Sequence, residues 1–364
     1  MSRINLDERT IQDLKGRSVV LTGGAQGIGA KTAMQLFRAG ARLVISDIDH
    51  TQGQELVVSM EQEAHGHGSE NEKGNYGHVT FVHGNVSDYA SMLSLFRQAL
   101  NIYGCVDMAI HCAAVSESVH RPWFSKDITL ESIQEPPSTK VLDINLLGTF
   151  YFTQVALAAM RQHRSPGDRT GKSITLISSV AGFKESPGLF AYSASKHGVL
   201  GLMRSLRRYL LSAFDVRINV VCPWATDTPM LGGVRERWVR ESLPMNTPDQ
   251  VARLILQCAG DPDIHGKAVY VAGGEGFDIE EGINRLEPDW LGEQQAADLA
   301  KGQGVLGLLT RHIRERLGVW QANKVLGRKI RLCRRRSKST DGPEYRRGVG
   351  SQNVLGSPNS DVLH

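Results

Sequence analysis

A tyrosine and a lysine lie four residues apart, at Tyr192 and Lys196, in a stretch whose pattern predicts a helix. Side chains at this spacing share one face of a helix. A nearby ammonium group favours the phenolate and lowers the tyrosine pKa from its usual value of about 10. The phenolate can then take the proton of an alcohol, and in reverse the phenol can protonate a ketone oxygen. Taken alone, the spacing also fits a surface tyrosine and lysine.

Two further polar residues could assist this pair. Ser179 follows a predicted strand over 173–177, so its hydroxyl is expected at the carboxyl edge of a sheet, where it could hydrogen-bond a reacting oxygen. Asn145 interrupts an apolar helical face, where it could hold a water that links Lys196 to solvent. The alternatives are a strand-end serine and a buried structural asparagine. We assign Asn145, Ser179, Tyr192 and Lys196 to catalysis.

A glycine-rich turn, TGGAQGIG over residues 22–29, stands between a predicted strand and a predicted helix. Glycines permit a tight turn and let the backbone approach a pyrophosphate, and the helix N-terminus offers free N–H groups with a partial positive charge. The same glycines could form an ordinary tight turn, but the strand before and the helix after favour a dinucleotide site. The residues assigned to this cradle are Gly23, Gln26, Gly27, Ile28 and Gly29.

The ends of the next two predicted strands suggest which dinucleotide binds. Asp47 ends the second strand, where a carboxylate can accept hydrogen bonds from both adenosine ribose hydroxyls and would repel a 2′-phosphate. NAD is therefore the first choice of cofactor, and NADP is the second. Asn85 and Val86 follow the third strand and are assigned to the adenine end of the site.

The elements that must position these residues alternate along the chain. Short β-branched runs alternate with longer amphipathic segments from residue 16 to about residue 276, which predicts parallel strands joined by right-handed helical crossovers. Most of the strand candidates are continuous apolar runs, as expected for a sheet covered on both faces. The expected fold is α/β, a single Rossmann-type doubly wound parallel sheet with helices on both faces, plus a C-terminal extension.

Composition excludes several other classes of protein. The chain has 364 residues, of which 41% are hydrophobic and 22% charged, as in an ordinary globular protein. No run approaches the roughly 18 apolar residues of a membrane span, and the N-terminus does not resemble a signal peptide. The five cysteines form no CxxC pair, so no metal site is expected. Their scattered positions favour a reducing compartment, and we expect a cytoplasmic location. Histidines in the polar stretch over 64–77 lack partner ligands and suggest a solvated loop.

The net charge of +4 comes from the C-terminal region, because residues 281–364 hold 15 Lys and Arg against 9 Asp and Glu. The body of the chain has no basic patch for specific nucleic-acid binding. The predicted organisation is an N-terminal lead over 1–15, the sheet domain over 16–280, a helical extension over 281–330 and a basic, disordered tail over 331–364. A substrate lid is expected at about 224–246, where apolar residues are interspersed with Arg235, Arg237 and Arg240.

Taken together, these motifs resemble the short-chain dehydrogenase/reductase family in order and near spacing, over about residues 16–276. The resemblance implies that Tyr192 is the acid/base, that Lys196 binds the nicotinamide ribose, that Ser179 polarises the substrate oxygen and that Asn145 completes a proton relay. It also implies that Thr226 and Thr228, in CPWATDT, contact the nicotinamide carboxamide. Prostaglandin-dehydrogenase-type members and fungal secondary-metabolite enzymes are similar at a weaker level.

The expected function is that of an NAD(P)-dependent oxidoreductase that interconverts a secondary alcohol and a ketone on a lipophilic small molecule of secondary metabolism. Two departures from the family pattern keep a non-catalytic dinucleotide-binding sensor or scaffold open as the alternative. The usual NNAG is HCAA at residues 111–114, and Trp224 replaces the glycine after Pro223. The resemblance further implies a homodimer or homotetramer.

Overall fold

The computed structural model describes residues 2–66, 76–117, 123–162 and 171–307. The chain divides into one compact unit from Met1 to Gly302 and a second unit from Gln303 to His364. Of the second unit, only residues 303–307 are described, and these are helical. The predicted tail over 331–364, residues 308–330 of the predicted extension and most of the polar stretch over 64–77 lie outside the described residues.

In the part of the chain that the structure describes, eight strands form one sheet in the order β3-β2-β1-β4-β5-β6-β7-β8. They are β1 Ser18–Thr22, β2 Arg42–Asp47, β3 His78–His83, β4 Met108–His111, β5 Ser173–Ile177, β6 Arg217–Pro223, β7 Ala268–Ala272 and β8 Glu275–Asp278. The first seven pair in parallel, and the predicted doubly wound fold is confirmed. The short antiparallel strand β8, which the sequence analysis did not include, returns along β7 after a turn in which Gly273 and Gly274 have positive φ.

Helices cover both faces of this sheet. They are α1 Glu8–Gln12, α2 Gly27–Arg38, α3 His50–Gly66, α4 Tyr89–Tyr103, α5 Lys140–Leu142, α6 Gly148–Gln162, α7 Phe190–Phe214, α8 Arg235–Arg240, α9 Pro248–Gly260 and α10 Ile279–Leu291. Residues 293–302 of the first unit are also helical. A π-helical turn, Asp143–Leu147, joins α5 to α6, and short 3₁₀ helices cover Val180–Gly182 and Pro229–Val234. Helix α3, absent from the sequence-based assignment, reaches into the stretch expected to be a loop.

Two apolar cores lie on opposite faces of the sheet. On one face Phe96, Phe152 and Leu200 of α4, α6 and α7 are buried. On the other, Leu36 and Ile255 of α2 and α9 are buried. Each such side chain stabilises the fold by about 1.5–3 kcal/mol when it is fully buried. The two cores fix the helices against the strands and so position every residue carried on α2, α6 and α7.

Buried cations hold the C-terminal ends of two helices. Lys172 Nζ donates to the carbonyl oxygens of Val106 and Met160 at 3.3 and 3.0 Å. The Arg217 guanidinium donates to the carbonyl oxygens of Cys258 and Ala259 at 3.1 and 2.6 Å. Carbonyls in the last turn of a helix lack intrahelical partners, and these two side chains supply them. The ends of α6 and α9 are thereby tied to the sheet.

Among the described residues, one helical stretch, Lys140–Gln162, is long and apolar enough to cross a membrane by length and composition alone. It also serves as a core helix, because Phe152, Ala156 and Met160 are completely buried in the core beside the sheet. A core helix passes the same test of length and hydropathy.

Candidate active site

The glycine-rich turn lies between β1 and α2, beside the point where the strand order reverses from β1 to β4. Gly23 has φ +69°, and a Cβ there would lie 2.3 Å from the backbone nitrogen of Ala113. A Cβ on Gly29 would lie 1.8 Å from the carbonyl oxygen of Gly23. Neither position can hold a side chain, because the turn packs against its own backbone and against the segment after β4. Crevices at such reversal points are where ligands bind in this class of sheet.

The first turn of α2 offers the N–H groups that a pyrophosphate needs. Its N-cap is Gln26, whose side chain makes no capping hydrogen bond. A Cβ at Gly27 would meet only Thr228, whose Cγ2 is 3.5 Å away. The loop after β6 therefore adjoins the cradle, as expected for Thr228, while Ile28 lies in the first turn of the helix. These residues fit a dinucleotide phosphate, since N–H donors and close backbone access are both present.

Asp47 connects the end of β2 to the cradle. Its Oδ2 accepts a hydrogen bond from the Ala25 N–H at 3.0 Å, and its Oδ1 accepts one from the Asp49 N–H at 3.0 Å. Each carboxylate oxygen can accept more than one hydrogen bond, so these bonds leave capacity for ribose hydroxyls. At the end of β3, the Asn85 Oδ1 accepts hydrogen bonds from the N–H and hydroxyl of Ser87, and Val86 is buried.

Asn145 lies inside the π-helical turn and is 1% exposed. Its side-chain amide makes two hydrogen bonds with the backbone of Val115, one to the N–H and one to the carbonyl, each at 2.9 Å. Its Nδ2 also donates to the Ser195 hydroxyl of α7 at 3.2 Å. Asn145 thus joins the segment after β4 to the helix that carries Tyr192 and Lys196. Single π turns are frequent at functional sites.

Ser179, Tyr192 and Lys196 lie together at the carboxyl edge of β5. Hydrogen bonding by Ser179 lowers the pKa of the Tyr192 phenol, and Lys196 Nζ is 5.5 Å from the centre of the Tyr192 ring. Lys196 is 2% exposed, and its Nζ donates to the Ile177 carbonyl at 2.9 Å. This places a hydroxyl donor, a phenol and an ammonium group around one point, which is an arrangement suited to proton transfer at an alcohol or ketone oxygen.

The pKa of Tyr192 differs in direction from the sequence-based expectation. Burial raises it, and the hydrogen bond from Ser179 offsets only part of this effect. Burial also lowers the pKa of Lys196 to about 8. The expected lowering of the Tyr192 pKa was therefore wrong for the protein alone, because burial disfavours the charged phenolate.

The HCAA segment departs from the family pattern with a defined structural effect. His111, at the end of β4, is 2% exposed, and its Nδ1 is 2.7 Å from the Thr22 hydroxyl at the end of β1. Burial, followed by the charge of Lys196, lowers the pKa of His111 to about 3, so the imidazole is neutral. Burial also raises the pKa of the Cys112 and Cys222 thiols near Lys196 to about 12, so both are neutral.

Trp224, at the end of β6, belongs to a row of aromatic rings. Its ring contacts Trp238 of α8 edge-on at 5.1 Å and lies 6.4 Å from Tyr270 of β7. Tyr270 in turn contacts Phe183, beyond the Ser179 turn, at 5.7 Å between ring centres. These four residues are named here the aromatic row, and Trp224 packs within it.

The predicted lid consists of the 3₁₀ helix Pro229–Val234 and α8. Arg235 makes two hydrogen bonds to the Asp227 carboxylate, at 2.7 and 3.0 Å, which leaves it engaged within the lid. Thr226 forms a single β-bridge with Asn246, and this bridge closes the base of the lid. The Asn246 side chain donates to the Val271 carbonyl at 3.0 Å. Thr226 is buried, and its hydroxyl donates to the Trp224 carbonyl.

Comparison with known proteins agrees with this geometry. A family model described as short chain dehydrogenase matches residues 17–238. The 5'-hydroxyaverantin dehydrogenase of Dothistroma septosporum is 31% identical over 294 residues, which cover 77% of this chain and 91% of that protein. The chain belongs to the short-chain dehydrogenase/reductase family. It is therefore an NAD(P)-dependent oxidoreductase, and the alternative of a non-catalytic binding protein is not supported.

Two other relatives extend the comparison. The human 3-hydroxyacyl-CoA dehydrogenase type-2 is 28% identical over 273 residues, which cover 72% of this chain and 96% of that protein. The crystal structure of gox2181 matches with a TM-score of 0.59 and 26% identity, and the match covers 73% of this chain and 98% of that one.

In the short-chain dehydrogenase, hydrogen bonds join Asp47 to the glycine-rich turn and Asn145 to the helix that carries Tyr192 and Lys196. The structure adds residues that the sequence analysis did not select. Glu117 contacts the backbone of Tyr192, and the aromatic row combines Trp224 and the lid residue Trp238 with Tyr270 of β7 and Phe183. The signal for Glu117 was its place just after β4, at the edge where ligands bind. Across the described residues, no group of three or more His, Cys, Asp or Glu side chains could hold a metal ion.

Proposed function

We propose that this enzyme oxidises a lipophilic secondary alcohol to a ketone, with Tyr192 as the acid/base and NAD as the preferred cofactor. The observation that carries the proposal is the position of the buried Lys196 ammonium, 5.5 Å from the centre of the Tyr192 ring, at the edge of the sheet where Ser179 follows β5. Ser179 donates to the substrate oxygen, and Tyr192 takes its proton. Lys196, held by the Ile177 carbonyl, contributes positive charge that favours the phenolate.

The nicotinamide cofactor supplies the hydride chemistry when it is bound. Within the protein, Gly23, Gly27 and Gly29 give its pyrophosphate access to the backbone, and Asp47 accepts hydrogen bonds from the adenosine ribose. A 2′-phosphate at that ribose would lie against the Asp47 carboxylate, and repulsion of like charges disfavours it. NADP is the second choice on this ground. Lys31, the nearest basic residue of α2, is paired instead with Asp249 at 3.7 Å.

We propose an apolar substrate on the basis of the aromatic row. The aromatic row offers ring faces and edges, and such surfaces favour an apolar, preferably aromatic, molecule. The fungal 5'-hydroxyaverantin dehydrogenase among the relatives supports a place in secondary metabolism. The human 3-hydroxyacyl-CoA dehydrogenase type-2 suggests acyl thioesters as a second class to test. The proposal includes a cytoplasmic location and a homodimer or homotetramer.

The first test is cofactor binding followed by turnover. Titration of the intrinsic tryptophan fluorescence with each cofactor, oxidised and reduced, should give tighter binding of NAD than of NADP. A panel of apolar secondary alcohols, assayed through the absorbance of the reduced nicotinamide, should then show oxidation by the wild-type enzyme and not by Tyr192→Phe. Tighter binding of NADP would contradict the assignment of Asp47, and equal turnover by Tyr192→Phe would contradict the mechanism.

A further inference from the structure

A carboxylate that has no role in the proposed mechanism lies against the catalytic helix. Oε2 of Glu117 accepts a hydrogen bond from the backbone N–H of Tyr192 at 3.3 Å. Oε1 of the same side chain is buried, and it has no hydrogen-bond partner within the part of the chain that the structure describes. One oxygen of Glu117 is thus used by the fold, and the other is left without a donor.

The hydrogen bond that Glu117 accepts from the Tyr192 N–H does not require a charged side chain. Leu189, the N-cap of α7, makes no side-chain hydrogen bond, so the first turn of this helix needs an outside acceptor. A neutral amide oxygen would serve that N–H equally well. Leaving a buried charged oxygen without a partner costs about 1–3 kcal/mol or more. The unpaired oxygen is therefore best explained by a donor that arrives with a ligand.

The position of Glu117 points to the substrate as that ligand. Two residues earlier in the same segment, Val115 is held on both its N–H and its carbonyl by Asn145. Glu117 is thereby fixed beside the backbone of Tyr192, and the Tyr192 hydroxyl lies at the far end of the same residue's side chain. A molecule that reacts at Tyr192 therefore lies within reach of Glu117 through a distal group.

We propose that Glu117 is a specificity residue that accepts a hydrogen bond from a hydroxyl group of the substrate, away from the carbon that reacts. The aromatic row supplies the complementary apolar wall, so the substrate class is an aromatic secondary alcohol that carries a phenolic hydroxyl. This inference rests on the proposed function and deepens it. A hydroxyl suits the site better than an ammonium group, because an apolar wall makes burial of a second charge costly.

The probes are naphthyl ethanols with a hydroxyl on the far ring, in two positional isomers, each compared with its methyl ether. The wild-type enzyme should prefer one phenol over its ether by about tenfold or more in kcat/KM, since the ether has no proton to donate. Glu117→Gln keeps an oxygen for the Tyr192 N–H and presents an amide donor in place of the free oxygen. Glu117→Gln should remove or reverse the preference for the phenol over its ether. The change should appear in KM, and kcat for the ether should change little.

Glu185→Gln is the matched control, because Glu185 is an exposed glutamate beyond the Ser179 turn and its loss removes the same charge. Thermal melting and NAD titration of each variant establish that the fold and the cofactor site are intact. If Glu117→Gln keeps the wild-type preference for the phenol over its methyl ether, the inference is overturned and the proposed function stays in place. A wild-type preference for an amine-bearing analogue over the phenol has the same consequence. Failure of the wild type to oxidise any of the probes, or other secondary alcohols, overturns the proposed function itself.

Discussion

The backbone N–H of Ala25 donates to Oδ2 of Asp47 at 3.0 Å, so the phosphate cradle and the proposed ribose acceptor are directly bonded. The cradle lies after β1 and Asp47 ends β2, and these strands are neighbours in register from Ser18 to Thr22. The position of the loop and the choice of cofactor therefore depend partly on the same carboxylate. The substitution that tests cofactor preference must preserve this bond.

Asp47→Asn is the substitution of choice, because asparagine keeps the size and one oxygen acceptor but removes the charge. We expect weaker NAD binding and stronger NADP binding, which together narrow the ratio of their affinities by about tenfold or more. Fluorescence titration measures both. Asp49→Asn is the control, since Asp49 carries the same charge nearby but accepts a hydrogen bond from the Gln52 N–H at the start of α3. An unchanged ratio in Asp47→Asn would remove Asp47 from the cofactor site.

Tyr192→Phe removes the phenolic hydroxyl and keeps the ring. Loss of a general acid/base should lower kcat by about a thousandfold, while NAD binding and thermal stability change little. Steady-state kinetics with the best alcohol of the panel measures kcat.

Ser179→Ala should lower kcat by about a hundredfold through the loss of one donor to the reacting oxygen. The same kinetic assay measures this loss. Ser178→Ala is a contrasting variant, because the Ser178 hydroxyl donates to the Lys196 carbonyl inside the fold. A loss confined to Ser178→Ala would reassign the hydroxyl donor.

His111 should make the folded protein sensitive to mild acid. Burial lowers the folded pKa of His111 to about 3, whereas the unfolded chain binds the proton near the ordinary histidine value of 6.5. Between these values only the unfolded state is protonated, so stability falls as the pH falls from 6.5 towards 3. The slope for this one group approaches about 1.4 kcal/mol per pH unit.

His111→Asn should flatten that slope, since asparagine does not titrate and can still bond the Thr22 hydroxyl. Urea unfolding at several pH values below neutrality gives the free energies needed. His83→Asn, at an exposed position on β3, should leave the slope nearly unchanged. Equal slopes for the wild type and His111→Asn would show that His111 is protonated in the folded state or reaches solvent.

Lys196 should make the stability of the folded protein depend on pH in the alkaline range. Its folded pKa of about 8 lies below the ordinary lysine value of 10.5, so between these values the unfolded state alone holds the proton. The cost of the buried ammonium is fully present below about pH 8 and declines as the pH rises towards 10.5. Relative to Lys196→Met, the wild type should therefore become more stable across that window.

Denaturant unfolding of wild type and Lys196→Met at neutral and alkaline pH measures this difference. Lys31→Met is the control, because Lys31 is exposed on α2. A difference in unfolding free energy that stays constant with pH would mean that Lys196 keeps its ordinary pKa in the fold. Lys196→Met should also lower the turnover of alcohols, because the phenolate of Tyr192 loses its neighbouring charge.

Much of the architecture could be predicted from local pattern. The strand predicted over 173–177 has the same bounds in the structure, because a continuous apolar run is a local property. Helix α3 was missed because its apolar and polar residues are weakly separated, and its packing comes from the sheet. The π turn around Asn145 was missed because it looks like ordinary helix in sequence and is shaped by its bonds to Val115 and Ser195.

The fold class, the family resemblance and the order of Ser179, Tyr192 and Lys196 follow from the amino-acid sequence. These depend on spacing along single elements and on strand ends that must meet at one edge of a parallel sheet. The surroundings of these residues depend on how the chain folds in three dimensions. The bond from Glu117 to Tyr192 and the partner of His111 depend on contacts between residues distant in sequence. The upward shift of the Tyr192 pKa depends on burial, which no local spacing encodes.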